Sequence, residues 1–269
     1  MSFPNFPGKR GEPALVEPAA YVGYLQAHGR GPGEPAPHGA VLVYDTPLLR
    51  WVETTHRLER APGVLGEYLY RLADEPRVMV GGGFGIGAPV AVAIVEELVA
   101  LGCRRFVSMG TAGTLQHGLA VGDLVVCDRA VRDEGTSHHY LEPAEYAAAS
   151  AALSRRLERE LSALGRSSRS GASWTIDAIY RETRAEARHY QERGVLTVDM
   201  EAAAVFAVAV YRGVEAAAVF AISDSLAELE WRPEFQHPDI QPSLEAMFTA
   251  AVRAVRPDAD EGDGRSQAG

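Results

Sequence analysis

The sequence predicts an α/β protein: a single three-layer αβα domain around a central, mostly parallel mixed sheet. Three observations carry this. Runs such as VLVY, RVMV and AAAVFAIS are apolar on both faces, as strands are when helices cover a sheet on each side. Amphipathic helical patterns alternate with these runs. Glycine-rich stretches follow two of them, GGGFGIG at 81–87 and GTAG at 110–113, where a strand is expected to turn sharply. In such sheets ligands bind beyond the carboxyl ends of the strands, so the residues after each apolar run are the ones to read for function.

In chain order, residues 1–39 are rich in Pro and Gly (PNFPGKRGEP, then GRGPGEPAPHG), which predicts an irregular arm. One short helix is expected near 21–27, and such an arm packs on a surface or a neighbouring subunit. The domain is expected over 40–256. Within it, strands are predicted over 40–44, 77–80, 105–109, 123–130, 195–199 and 216–223. Helices are predicted over 89–101, 143–164, 184–193, 201–212 and 242–255. Residues 257–269, ending DADEGDGRSQAG, hold no apolar residue beyond alanine and cannot offset the entropy of their own ordering, so a disordered acidic tail is expected.

A length of 269 residues suits one large domain, and 46% apolar residues supply its core. The formal net charge of -10 excludes a general affinity for nucleic acid backbones, which needs clustered cations. Cys103 and Cys127 each lie in or beside an apolar run and read as buried small hydrophobes, with no disulfide framework and no metal site. No run of about 18 apolar residues and no signal-peptide plan is found, so a cytoplasmic protein with no membrane partner is expected.

The stretch Gly83 to Ala88 fits GxGxxA, but a dinucleotide site needs a carboxylate at the end of the next strand. That strand ends Val107-Ser108-Met109-Gly110, which has no acid, and no Gly-Lys-Ser/Thr follows to make a P-loop. Gly81 and Gly82 read as packing residues. The GTAG stretch, with the backbone of Gly110 and the hydroxyl of Thr111, suits an oxyanion or a sugar hydroxyl. Two later strands end in acids, Asp199-Met200-Glu201 and Ser223-Asp224-Ser225. Either alone reads as a cap or as a helix first-turn acid. Together, on the edge that carries Thr111, they suit a site where one acid binds hydroxyls and the other donates a proton, as cleavage of a sugar's glycosidic bond requires.

The motifs GFGIGAP with EELVALGCRRF, MGTAGTLQ with VGDLVV, AVRDEGTSHHY, TVDMEAAAVFAVA and AISDS occur in this order over roughly residues 40–226. In them the sequence resembles the nucleoside phosphorylase family, which includes uridine phosphorylase, hexameric purine nucleoside phosphorylase and methylthioadenosine nucleosidase. The resemblance implies the phosphorylase/hydrolase-like fold and the cleavage of a nucleoside with inorganic phosphate as co-substrate, without metal or organic cofactor. It also implies a homodimer or homohexamer. Glu201 would bind the ribose hydroxyls, Met200 would line the sugar pocket, and Thr111 would contact phosphate or ribose. Asp224 would protonate the purine N7, quenching charge on the departing base. His139 is implied either in the pocket or in a surface or capping role. Tyr180 or Trp174 would stack on the base or belong to the core.

The sequence departs from the family at the acceptor. Phosphorylases carry an arginine three residues before the threonine of GTxG, where this chain has Ser108, and their GDPxR loop reads here as Tyr44 to Arg50. A hydroxyl cannot replace the charge-assisted fork of a guanidinium. Arg50, Arg57 or Arg60 would supply the cation, from the same chain or across a subunit boundary. In a nucleosidase, Asp45 would activate water instead; the other reading of Asp45 is an Asx turn. Residues Asp177 to Thr183 lack the Gln-x-Arg pair that reads uracil, and Asp224 favours a purine. The expected activity is phosphorolysis to free base and ribose 1-phosphate, with hydrolysis as the alternative and a non-catalytic nucleoside sensor as the rival from another class.

Overall fold

The computed structural model describes residues 6, 8–29, 35–61 and 68–258. Its strands are β1 (Gly39–Val43), β2 (Leu58–Arg60), β3 (Leu69–Leu72), β4 (Glu75–Gly82), β5 (Arg105–Thr114), β6 (Leu124–Asp133), β7 (Tyr146–Ala148), β8 (Ser168–Ile176), β9 (Thr197–Asp199), β10 (Glu215–Ser225) and β11 (Arg232–Pro233). Its helices are α1 (Pro18–Ala27), α2 (Thr46–Thr55), α3 (Ala88–Ala100), α4 (Ala151–Ala163), α5 (Arg184–Glu192), α6 (Ala202–Arg212) and α7 (Ile240–Val255). All strands join one sheet in the order β11-β10-β6-β8-β9-β5-β1-β4-β3-β2, with β7 on β6. Because β10 also pairs with β5, the strands β10, β6, β8, β9 and β5 close into a ring.

The period of two along each strand divides the core into layers. Ala40 and Leu42 of β1, Phe106 of β5 and Ala216, Ala218 and Phe220 of β10 pack with α3 and α6. Their neighbours Val41, Val43, Val107, Ala217 and Val219 pack on the opposite side with α2, α4 and α7. This is the three-layer αβα arrangement. Strands β4, β1, β5 and β10 run parallel through its centre, as the two-faced apolar runs predict, while the outer pairings β2–β3, β3–β4 and β6–β7 are antiparallel.

Beyond the short strands β2, β3 and β11, which the sequence reading does not include, four elements differ from it. The GTAG stretch is not a turn: it continues β5, paired with β10 on one side and, at Gly113 and Thr114, with β9 on the other. The helical pattern over 143–164 divides into β7 and α4, because Tyr146 to Ala148 complete the pairing of β6. Strand β8 was hidden by its polar letters, SRSGASWTI, but it is paired on both sides by β6 and β9. Helix α2 follows β1 directly and fills what reads as a loop. Residues 259–269 of the expected tail, and 1–5, 7 and 30–34 of the arm, lie outside the described residues. Asp258 is held by ion pairs to Arg105 and Arg156. Both cysteines are buried and free. Among the described residues no helix is long and apolar enough to cross a membrane.

Candidate active site

The first half of the site begins where β9 ends and α6 begins. Asp199 accepts four hydrogen bonds: from Ser173 Oγ and Thr175 Oγ1 of β8, each at 2.8 Å, and from the backbone N–H groups of Glu201 at 2.9 Å and Ala202 at 2.7 Å. It therefore caps α6, whose first amides would otherwise be unpaired, and pins that helix to the sheet. Glu201 is thereby aimed at the glycine-rich turn, where its Oε1 accepts the N–H of Gly87 at 2.6 Å. Gly87 has φ 106, a conformation that side chains resist, and α3 starts at the next residue. Burial, and then the nearby charge of Asp199, pushes the Glu201 carboxyl up to about 8. Asp199 is also raised by burial, against the pull of its four donors.

Tyr44, the residue after β1, extends this cluster. Its hydroxyl lies 3.0 Å from Ser108 Oγ, and its ring meets Phe84 edge-on at 5.5 Å. The Tyr44 ring lies against β5 at Gly110, where a Cβ would meet it at 3.5 Å, ordinary contact. Burial, and then the field of Glu201, holds the phenol proton far more tightly than usual.

The second half lies on β10. A bulge between Ile222 and Asp224 resets the strand so that Asp224 pairs with Gly113. Asp224 is buried; its Oδ1 accepts from Ser223 Oγ at 2.7 Å and its Oδ2 from Trp231 Nε1 at 3.0 Å. Burial raises its pKa, opposed by those two donors. Gly113 is needed here, since a Cβ would stand 2.8 Å from Leu226 and 2.9 Å from Asp224 Oδ2. Beside Asp224 opens a cavity of about 300 Å³ whose lining includes Glu182, Thr183, Leu226, Leu229 and Trp231. Glu182 is pushed up to about 7, first by burial and then by the charge of Asp224.

Gly113 joins the two halves, pairing with Asp224 of β10 on one side and with Val198 of β9 on the other. Thr111 is half-buried on the same strand, and Met200 is half-buried between Asp199 and Glu201. The other expected residues lie apart. His139 sits on a one-turn 3-10 helix, with its Nδ1 on Lys9 Nζ of the arm, which fits the surface reading. Tyr180 is 96% exposed. Trp174 is core, donating from Nε1 to Asp133 Oδ2 at 2.9 Å and packed on Tyr190. Asp45 is the N-cap of α2, with its Oδ1 accepting the Leu48 N–H at 2.7 Å, a local turn-closing role.

Arg50 is exposed on α2; Arg57 pairs with Glu59, and Arg60 lies over the Tyr70 ring. Arg60 belongs to β2 and Arg57 lies next to it; β2 is four strands from β5. At roughly 4.8 Å per strand, about 19 Å separates β2 from β5, the strand of Thr111, within one chain. Sequence reasoning missed Tyr44, Gly87, Glu182 and Trp231 as members of the site. For Asp199 the signal was present, since it stands two residues before Glu201 at a strand end. For Trp231 the letters gave none.

A family profile described as the phosphorylase superfamily matches residues 50–255. The guanosine phosphorylase of Halorubrum lacusprofundi is 36% identical over 150 residues, 53% of this chain and 59% of that protein. The uridine phosphorylase of Haemophilus influenzae is 31% identical over 150 residues, 50% of this chain and 59% of that protein. The matched stretch thus spans 59% of the length of both relatives. Among solved structures, the purine nucleoside phosphorylase of Toxoplasma gondii in complex with immucillin-H superimposes with a TM-score of 0.71 at 21% identity, covering 82% of this chain and 90% of that one, a likeness of fold. With three quarters of its length matched by the family profile, the chain belongs to the phosphorylase superfamily.

Proposed function

We propose that the protein cleaves the N-glycosidic bond of a purine nucleoside by phosphorolysis, releasing free base and ribose 1-phosphate. The observation that carries this reading is the pair of buried carboxylates, Asp224 on β10 and Glu201 two residues beyond the end of β9, the strands either side of Gly113. Two strand spacings, roughly 10 Å, separate those strands. In this reading Glu201 accepts the ribose 2′- and 3′-hydroxyls, a role suited to a buried carboxylate whose fixed donors are backbone amides. Asp224 passes a proton to N7 as the C1′–N bond breaks and its electron pair moves to the base. Phosphate attacks C1′ from the side of Gly110 and Thr111. Relatives named as guanosine and uridine phosphorylases support phosphate as the acceptor, and the purine rests on Asp224 as the acid at N7.

Phosphate needs a cation, and β2, the strand beside Arg57 that carries Arg60, lies about 19 Å from β5 within one chain. The reading therefore includes self-assembly, with an exposed arginine of a neighbouring copy, Arg50, Arg57 or Arg60, completing the acceptor site. A second reading is favoured by one observation: the position of the phosphate-binding arginine holds Ser108, whose hydroxyl is already engaged by Tyr44. In that reading water replaces phosphate.

The test is chromatography of free base released from a nucleoside panel by enzyme dialysed into phosphate-free buffer, with and without added phosphate. Base released only with phosphate, together with ribose 1-phosphate, is the expected result. Equal release without phosphate would make the enzyme a nucleosidase. Tight nucleoside binding with no base released over long incubation would make it a sensor.

A further inference from the structure

Asp224, the general acid of this reading, has a side-chain donor on each oxygen: the Ser223 hydroxyl at 2.7 Å on Oδ1 and the Trp231 indole at 3.0 Å on Oδ2. An indole N–H only donates, so this contact favours an unprotonated oxygen at Oδ2, the atom next to the backbone of Gly113. Trp231 reaches it on a hairpin: β10 turns after Ser225 and returns as β11, pairing Ser225 with Arg232 and Asp224 with Pro233. In that turn Leu229 takes φ 57, the left-handed region, and among the described residues no other non-glycine does. Although its nitrogen meets a buried carboxylate, Trp231 is 62% exposed and wedged only loosely, against Phe235 with ring centroids at 6.1 Å. A large ring left this far in solvent is not placed there by burial. Its nitrogen on Asp224 and its face on the 300 Å³ cavity account for its position.

We propose that Trp231 is a positioning residue for Asp224: with the site empty, its N–H orients the carboxylate and keeps it ionised, and on purine binding the indole leaves Oδ2 to the base. The proposal rests on Asp224 being the acid that serves N7. As the indole departs, Oδ2 takes a proton from solvent. It gives that proton to N7 as the C1′–N bond breaks, with the bond's electron pair going to the base. The carboxylate so regenerated recaptures the indole. The hairpin contributes Glu230 and Arg232 to the surroundings, the α5 side contributes Glu182 and Arg184, and Arg184 pairs with Glu230 at 3.5 Å. Strands β5 and β9 place Gly113, Thr114 and Val198 beside this corner.

The Trp231→Phe variant keeps the ring and removes the N–H. Two readouts are joined: carbon-13 titration of the Asp224 side chain in the empty protein, its signal assigned by its absence in Asp224→Asn, and the pH profile of kcat/KM with a purine nucleoside. The expected result is an Asp224 titration moved up by about one pH unit in Trp231→Phe, with the pH limb of kcat/KM moving the same way. A merely structural role would lower the rate without moving either. An unmoved titration in a variant whose purine turnover still depends on Asp224 would overturn the proposal alone. Turnover indifferent to Asp224→Asn would overturn the reading beneath it as well.

Discussion

At the ribose end of the site, Asp199 gathers four donors from a strand and a helix start, and Glu201 is fixed between that cap and the glycine-rich turn. At the base end, Asp224 is buried too, but its partners are its own neighbour Ser223 and an indole that is largely in solvent. The contrast separates two tasks. The 2′- and 3′-hydroxyls are the same in every ribonucleoside, so in the proposed reading a carboxylate locked by the core suits them. In that reading a base must be admitted, protonated and released, and the acid that serves it is met by an indole largely in solvent.

If the ribose end is the rigid anchor, its loss should be the most damaging. Two hydroxyl bonds to a buried carboxylate are worth about 1.5–3 kcal/mol each, so Glu201→Ala is expected to lower kcat/KM by about 10³-fold. Steady-state kinetics on a purine nucleoside checks this; a loss under tenfold would remove Glu201 from the sugar site. Next comes Asp224→Asn, expected to lower kcat by about 10²-fold on a purine nucleoside, the usual scale for a general acid. An equal loss on a pyrimidine nucleoside would turn Asp224 from a base-specific acid into a general support.

The same contrast explains what the letters carried. Glu201 and Asp224 were legible because each follows an apolar strand at the edge where ligands bind in such sheets. The alternation that built the two core layers was legible for the same local reason. What failed depends on contacts between distant segments. GTAG looks like a turn until β9 and β10 are known to flank it, and β8 looks polar until it is seen paired on both sides. Tyr44 meets Ser108 across 64 positions of sequence, and Trp231 comes back to Asp224 through a turn that no motif marks.

A smaller effect sharpens the picture of the ribose end. Burial raises Glu201 from an ordinary 4.5 to about 8, so the fold binds its proton more tightly than the unfolded chain does. The stability this lends is full below 4.5 and is lost as pH rises through about 8. Glu201→Gln keeps an acceptor for the Gly87 amide and never acquires the charge. Its melting temperature is expected to match wild type near pH 5 and to exceed it by several degrees near pH 9, at about 2–4 °C per kcal/mol. Thermal melts across this range check the sign; a variant less stable at high pH would mean that the folded protein stabilises the ionised form.

The smallest expected effect concerns the acceptor side, where Asp45 has two candidate roles that two substitutions separate. Its Oδ1 caps α2 through the Leu48 N–H, and losing an N-cap costs about 1 kcal/mol. Asp45→Ala should therefore lower the melting temperature by about 2–4 °C while leaving turnover and its phosphate dependence intact. Asparagine caps as well as aspartate but cannot take a proton from water, so Asp45→Asn should change neither stability nor rate if the residue only closes the turn. A stable Asp45→Asn whose phosphate-independent base release falls by about 10²-fold would instead give Asp45 the water-activating role. That would make the acceptor region part of the chemistry and the enzyme a nucleosidase.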